Sequence, residues 1–435
     1  MNRILASVLL SCLGLSLSAQ DGAYIGYTPY SIFGIGDLVS QGSSYNKGMG
    51  GVGIATRNKR YLNYMNPAAV TARDSLSVMA DMSLSQNNKI FSQGELKSAN
   101  NTFNINDISL SFPLYRSSAM MFGLAPVSTT GFGYSTIITD PNIVGNVGDA
   151  MYYAKGNGNI YRLFVSAGVT FWKRLSLGTE SDFYFGNIKR QYGFTFSKSD
   201  YSSLNSGQDL SLRAVTGKFG IQYEQPIGSK AKLGVGATYT LGNKIKGYVD
   251  DYKLAVGGSQ VDTLVFRRDT LTAAGSPVSI PSELGLGISF NYNDVWRAEF
   301  NYSRSDWTNS GFDSTPGFCA NGTSVFSTKV AESFRAGFEI VPNRNDIRYY
   351  YKKIAYRTGA YYEKAYYALD GIQVKNYGVT FGASLPVFNN YNAVNLSVDI
   401  GQRASLSGNM VRERYINFTF GFNFFDYWFM KPKYD

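Results

Sequence analysis

Charged side chains of both signs recur at alternate positions of otherwise apolar runs: Arg162, Glu180, Asp182, Lys218, Glu224, Arg297, Glu299, Arg335, Arg357, Glu363, Asp399 and Arg403. Side chains of these types could anchor an anionic ligand, move a proton, or pair with one another across a wall. The 435-residue chain has no histidine, so it lacks the usual base near neutral pH and a common metal ligand. Ser–His and Asp–His catalysis and His-rich zinc sites are thereby excluded. No catalytic residue, metal ligand or cofactor is expected. A wide ion-selective pore would favour one sign, whereas mixed signs suit cross-strand pairs in a narrow or filled lumen. Structural pairing is the plainer role for each of these residues taken singly.

The elements that carry them alternate with period two, the signature of strands whose successive side chains face opposite sides. In the last run, Ile416, Phe418, Phe420, Phe422 and Phe424 share one face, while Asn417, Thr419, Gly421 and Asn423 share the other. Trp296, Ala298, Phe300 and Tyr302 alternate in the same way with Arg297, Glu299, Asn301 and Ser303. Soluble sandwiches alternate too, but their strands are usually about 5–6 residues long. Many runs here reach the roughly 9–11 residues that a tilted strand needs to cross hydrocarbon.

About fourteen such runs are expected, near 75–85, 105–115, 118–127, 161–171, 175–186, 212–225, 231–248, 283–290, 295–304, 332–341, 354–363, 374–386, 394–403 and 414–425. The gaps alternate short and long, as periplasmic turns and external loops do. Loops are expected over 86–104, 128–160, 187–211, 249–282 and 305–331. The gap 342–353 is longer than its short class should be, which suggests that strands extend into Arg348 to Tyr351. An even count puts both chain ends on the periplasmic side. Trp172, Trp296 and Trp428 then fall at that rim and Trp307 at the outer one, as aromatic girdles would. The fold expected is an all-β, 14-stranded antiparallel transmembrane β-barrel of the outer-membrane type.

The N-terminus, Met1-Asn2-Arg3 followed by an apolar run from Ile4 to Leu17 and then Ser18-Ala19, reads as a secretory signal peptide over 1–19. Leu9-Leu10-Ser11-Cys12 loosely resembles a lipoprotein box, but the apolar run continues past Cys12. If the leader is removed, Cys319 is left alone, without an intrachain disulfide partner. Net charge is +10, but the basic residues are scattered and form no block, so no nucleic-acid partner is expected. Residues 20–72 precede the first strand and combine many glycines with Tyr, Phe, Ile and Met. A disordered tail would be poorer in such residues. They read as an N-terminal hatch packed inside the lumen, followed by a barrel over 73–425 and a periplasmic tail over 426–435.

Two sets of residues carry a family resemblance. Met49-Gly50-Gly51-Val52-Gly53-Ile54-Ala55, followed by Asn66-Pro67-Ala68, resembles the N-terminal signature of the FadL/TodX outer-membrane transporters. Gly123-Leu124-Ala125-Pro126 and Gly131-Phe132-Gly133 are similar to that family's third strand and the loop after it. The resemblance covers essentially the whole mature chain, although the tail beyond Phe425 departs from members that end at the last strand. It implies a hatch that moves, capture of long-chain fatty acids or other hydrophobic molecules, and exit through a gap in the wall beside the third strand.

Gly50, Gly51, Asn66, Pro67 and Ala68 would then belong to the hatch, and Gly123, Pro126, Gly131 and Phe132 to the lateral gate. Read from the residues alone, Pro126 is either a strand end or a break in the ladder, since it lacks an N–H. Asn66-Pro67 alone is equally a turn. Tyr134, Ile137, Ile138, Met151 and Tyr152 are expected in one apolar external loop that would hold a ligand, with Arg162 or Lys155 as anchor for a carboxylate.

A second class of function is a protein-interaction barrel of the same fold, serving a secretion or surface-assembly system through the same loops. A barrel lipase or protease needs an imidazole, and an open porin is disfavoured by the hatch. The partners expected are outer-membrane lipid, a hydrophobic small molecule, and the barrel-assembly machinery, whose signal the end at Phe424-Phe425 resembles. The location expected is the outer membrane of a gram-negative cell.

Overall fold

The computed structural model describes residues 24–428 apart from 25, 75, 116, 199, 258–259, 273–275, 320–325, 388–390 and 407–409. The expected signal peptide lies outside the described residues, as does the end of the tail. The chain forms a closed antiparallel barrel of fourteen strands. In order these are β1 (Ser77–Gln93), β2 (Leu96–Tyr115), β3 (Ser118–Ile138), β4 (Ala150–Phe171), β5 (Leu175–Phe196) and β6 (Ser203–Ile227). Next come β7 (Ala231–Thr240, resuming as Lys246–Gly257) and β8 (Gln260–Leu271, resuming as Glu283–Tyr292). Then follow β9 (Trp296–Asp306), β10 (Phe326–Thr328 and Val330–Ile340), β11 (Ala355–Leu369), β12 (Ile372–Pro386), β13 (Ala393–Arg403) and β14 (Arg412–Tyr427). The cylinder closes between β1 and β14, from Ser77 opposite Tyr427 to Ser92 opposite Arg412.

Burial is inverted relative to a soluble protein. Leu163, Val165, Phe219, Ile288, Phe381 and Phe418 are exposed, while Glu180, Asp182, Arg297, Glu299, Glu339 and Arg357 are buried. Every second residue therefore offers lipid an apolar side chain and turns a polar one inward. Backbone polarity forces closure: in hydrocarbon each unpaired N–H or C=O costs several kcal/mol, and a closed ladder leaves none.

All fourteen expected runs are strands, but most of the expected long loops are not loops. β1 and β2 run on to a tight turn at Gly94, and β3 to β6 continue far beyond the apolar belt. Residues 249–282 contain a further hairpin, Lys246–Gly257 with Gln260–Leu271. Above the membrane both faces of a strand can meet water, so the apolar alternation stops while the ladder continues. Tyr134, Ile137 and Ile138 accordingly lie in β3, and Met151 and Tyr152 in β4, where they pair across one hairpin. A short helix, Pro141–Val147, caps that hairpin. Residues 342–353 are a periplasmic loop with one 3₁₀ turn, Tyr350–Lys352, and not strand extensions. Trp172 and Trp428 are exposed at the periplasmic end, but Trp307 is buried, packed on Phe312 and Tyr366, and is no part of an outer girdle.

Candidate functional site

The leading segment, residues 24–73, occupies the interior and is bonded to inward-facing groups around the cylinder. Ser43 opens a one-turn helix, Ser44–Lys47, whose Asn46 side chain caps it reciprocally. That turn delivers Met49-Gly50-Gly51 to the wall formed by β10 and β11. Gly50 takes φ +71°, and a Cβ there would sit 2.7 Å from the Ala336 carbonyl oxygen and 3.2 Å from Gly359 Cα. Only glycine permits both the left-handed backbone and that approach. Gly51 follows at φ +74° against Arg335, whose Nη1 donates to the Gly50 carbonyl at 2.8 Å.

Asn66-Pro67-Ala68 starts a 3₁₀ turn, Pro67–Thr71. The Asn66 carboxamide oxygen accepts from Ala68 N at 3.0 Å, and its Nδ2 donates to the Ile54 carbonyl at 2.8 Å. Proline needs no donor at this first helical position. The turn seats on β5 and β6, where Gly178 and Gly220 leave room for it. The expected hatch residues thus all contact the inner wall, at two separate places.

A buried charge cluster holds the segment's aromatic core. Glu339 accepts from Arg357 Nε at 2.9 Å and lies 3.6 Å from Arg344 and 3.9 Å from Arg297. Arg297 donates to the Tyr45 hydroxyl at 3.0 Å, and the Arg357 guanidinium lies 4.2 Å from the Tyr45 ring centre and 4.9 Å from that of Tyr61. Tyr45 and Tyr61 are themselves stacked. Burial pushes the Tyr45 phenol above its ordinary range, helped by the Glu339 carboxylate. On the same stretch of wall, two residues along β9 from Arg297, Glu299 accepts from Ala55 N at 2.9 Å and from the Thr56 hydroxyl.

Arg162 is not available to a ligand. It is buried, 3.1 Å from Glu180 and 3.3 Å from Asp182, with its guanidinium over Phe164. Lys155 lies outside the wall, beside Tyr153. The apolar ligand candidates do not converge on a lumen pocket: Tyr134, Ile137 and Met151 are exposed high on the β3–β4 hairpin.

Gly123, Pro126, Gly131 and Phe132 all lie on β3. β3 pairs with β2 only as far as Leu124 opposite Ile108. Above that level the seam opens, and the leading segment enters it. Asp37–Leu38 pair with Thr129 and Ser128, Val39 N donates to the Val127 carbonyl at 2.8 Å, and Thr28 N donates to the Gly131 carbonyl at 2.8 Å. Pro126 sits at a bulge inside β3, two residues beyond the last β2 pairing at Leu124, so it is not a strand end. Its carbonyl accepts from Gln41 Nε2 at 3.0 Å. Phe132 turns inward and is buried against Gly156. Gly123 remains in the paired part below.

Between the leading segment and the wall of β10 to β14, β1 and β2 lies a polar hollow of 180 Å³, lined among others by Lys47, Arg335, Arg403, Tyr361, Asp399 and Asn417. Burial pushes the Lys47 ammonium down to about 8, against the pull of Asp107 and Asp399 and with the repulsion of Arg335. A hollow of 650 Å³ between Tyr153, Gln191, Asn205, Tyr252 and Phe266 lies on the outer face of the wall. A buried apolar cluster includes the protein's own Tyr30, Ile35, Trp307, Phe312, Phe318 and Tyr366, packed with inward-facing Ile188, Leu210 and Leu212 of the wall.

The expectation of a loop at 305–331 hid this filling, since no period marks Trp307, Phe312 or Phe318. Arg190, also missed, is fully buried and donates to the carbonyls of Gly34, at 2.7 Å, and Gly317. Its period-two spacing from Ile188 and Tyr184 was the available signal.

The BamG family model matches residues 1–435. No curated protein matches the sequence. The Pseudomonas putida toluene transporter TodX is similar in structure, with TM-score 0.59 at 12% identity, over 91% of this chain and 100% of that one. A Pseudomonas aeruginosa FadL homologue is similar at TM-score 0.57 and 10% identity, over 90% and 99%. The Ralstonia pickettii toluene transporter TbuX follows at 0.55 and 13%, over 88% and 97%. A barrel of this fold, with its lipid-facing belt, resides in the outer membrane. The chain belongs to the BamG family and has the barrel fold of the FadL/TodX proteins.

Proposed function

We propose that this barrel serves assembly at the outer membrane through contacts with other proteins, and that its interior stays shut while it does so. The observation that carries the reading is the filled lumen. Trp307, Phe312, Phe318 and Tyr366 pack against inward-facing apolar residues of the wall, and the hollow beside the leading segment is lined mostly by polar side chains. Drug-sized ligand sites are concave and mostly apolar. Membership of the BamG family supports the same direction, toward barrel assembly. The test is the composition of the protein gently extracted from its native membrane. A stoichiometric partner protein of the assembly machinery is the expected result, and a tightly held hydrophobic small molecule without any partner protein would refute it.

The second reading is uptake of long-chain fatty acids or other hydrophobic compounds. It is favoured by the open seam between β2 and β3 and by the fold shared with the toluene transporters. In it residues 20–72 act as the hatch, residues 24–40 shut the seam, and Gly123, Pro126, Gly131 and Phe132 border a lateral exit. Entry of a fluorescent fatty acid or of toluene into proteoliposomes, faster than into protein-free vesicles, would establish it. Equal rates would exclude it.

A further inference from the structure

The wall above the membrane has a second unclosed place. β8 below, Glu283–Tyr292, is paired on both sides, with β7 and with β9. Its upper part, Gln260–Leu271, pairs with β7 alone. β9 ends at Asp306, opposite Val330 of β10, and does not rise alongside it. Among the described residues, no backbone group bonds to the outer edge of Gln260–Leu271.

We propose that this edge is a docking strand that accepts an extended segment of another polypeptide by β-augmentation, outside the membrane. The inference is independent of both readings above.

Three observations carry it. A free edge presents alternate N–H and C=O groups, and the partner that satisfies such a row is another extended backbone. The strand is also long and apolar for an unpaired one: Val261, Leu264, Val265 and Phe266 are 57, 58, 48 and 59% exposed. Protein edges are ordinarily shortened, bulged or covered; this one has a single bulge at Leu264, between the pairs Val265–Lys253 and Thr263–Leu254, and is otherwise regular over its 12 residues.

Finally, the hairpin is braced on its other side. Arg268 makes a two-pronged pair with Asp250, at 2.6 and 2.7 Å, and lies over the Tyr248 ring. Arg267 lies 2.6 Å from Asp269 and 3.5 Å from Asp251. These pairs fix the template before anything binds, which lowers the ordering penalty for a partner strand. The same charges discourage indiscriminate pairing.

A second copy is a poor occupant. Barrels in one membrane stand the same way up, so two copies would bring these edges together with strands parallel. Equal residues would then face each other at equal heights, donor against donor. An incoming segment of another chain is free to run antiparallel, the more stable pairing.

The test uses the full chain in detergent and a synthetic peptide of residues 246–257. That sequence already pairs with this strand on its other edge. Hydrogen exchange is read at 260–271, and binding by fluorescence anisotropy of the labelled peptide. In the free protein, alternate amides of 260–271 should exchange fast, and saturating peptide should slow them. The peptide is also made in two N-methylated versions, with methyl groups on odd or on even residues. One version should bind about tenfold more weakly, or worse, and the other should bind as the parent does, because a ladder uses only one edge of the peptide.

Equal effects of both versions would overturn the proposal, as would exchange that the peptide leaves unchanged. Amides that are all slow before any peptide is added would show the edge already covered by the chain itself. Light scattering giving the mass of a dimer would show a second copy there. Either result would also overturn it.

Discussion

Replacing Glu339 by glutamine should loosen the leading segment through a chain of contacts that can be followed atom by atom. The carboxylate is 2% exposed and is the counter-charge of Arg297 and Arg357, which are 6% and 4% exposed. Removing one member of a buried ion pair, so that the other charge is stranded, costs about 3–5 kcal/mol. Arg344, the third guanidinium near Glu339, has a partly accessible side chain and can turn to water. The lower end, ~3 kcal/mol, is therefore the better expectation. Part of the loss should appear in the leading segment, because Arg297 holds the Tyr45 hydroxyl and Arg357 covers the Tyr45 and Tyr61 rings.

The assay is denaturant unfolding in detergent together with hydrogen exchange over residues 43–65. Glu339→Gln should lower stability by ~3 kcal/mol and speed exchange there. Adding Arg357→Met should restore part of the loss, since the double variant no longer buries that guanidinium without its counter-charge, although Arg297 stays unpaired. If Glu339→Gln changes stability by less than about 0.5 kcal/mol, the ordinary range for surface changes, the cluster is solvated and the reasoning fails.

Gly50→Ala forces a Cβ against the Ala336 carbonyl at positive φ, and should cost roughly 1–2 kcal/mol from the backbone alone. Step currents should then appear in planar-bilayer recordings, whereas Gly94→Ala, whose Cβ meets nothing within 4 Å, should leave the barrel silent. Asn66→Ala removes the cap on the 67–71 turn and its donation to Ile54, and should destabilise by about 1–2 kcal/mol in the same unfolding assay.

Lys47 titrates near 8 when folded, against 10.5 when unfolded. A lowered ammonium binds fewer protons in the native state, so its burial penalty is fully present below pH 8 and is relieved as pH rises from 8 toward 10.5. Stability should climb across that window by at most ~3 kcal/mol, less because the polar hollow admits water. Lys47→Met should flatten the climb.

The strands were legible where lipid acts on them. Inside the membrane belt, water is absent on one face, so the alternation around Phe300, Ile400 or Phe418 had to be strict. Above the belt that pressure disappears. β3 to β6 and the 246–271 hairpin therefore read as loops although their ladders continue. The wall contacts of Gly50 and Pro67 were visible because glycine and proline mark backbone needs that no other residue meets. The filling residues Trp307, Phe312 and Phe318 were hidden, since they pack from an irregular segment in which spacing carries no information. Arg162 kept two roles open for a different reason: a lumen arginine looks the same in sequence whether a ligand or two carboxylates await it.

The contacts of the leading segment have a consequence for how the molecule is made. Residues 24–72 precede β1 in the chain, yet they touch β5, β6, β7, β10, β11 and β14, down to Asn423 donating to the Arg60 carbonyl. Those seats come from strands in both halves of the barrel, the last strand among them, so the segment cannot reach its final contacts until β14 is in place. Faults in late strands should then loosen residues that were made first.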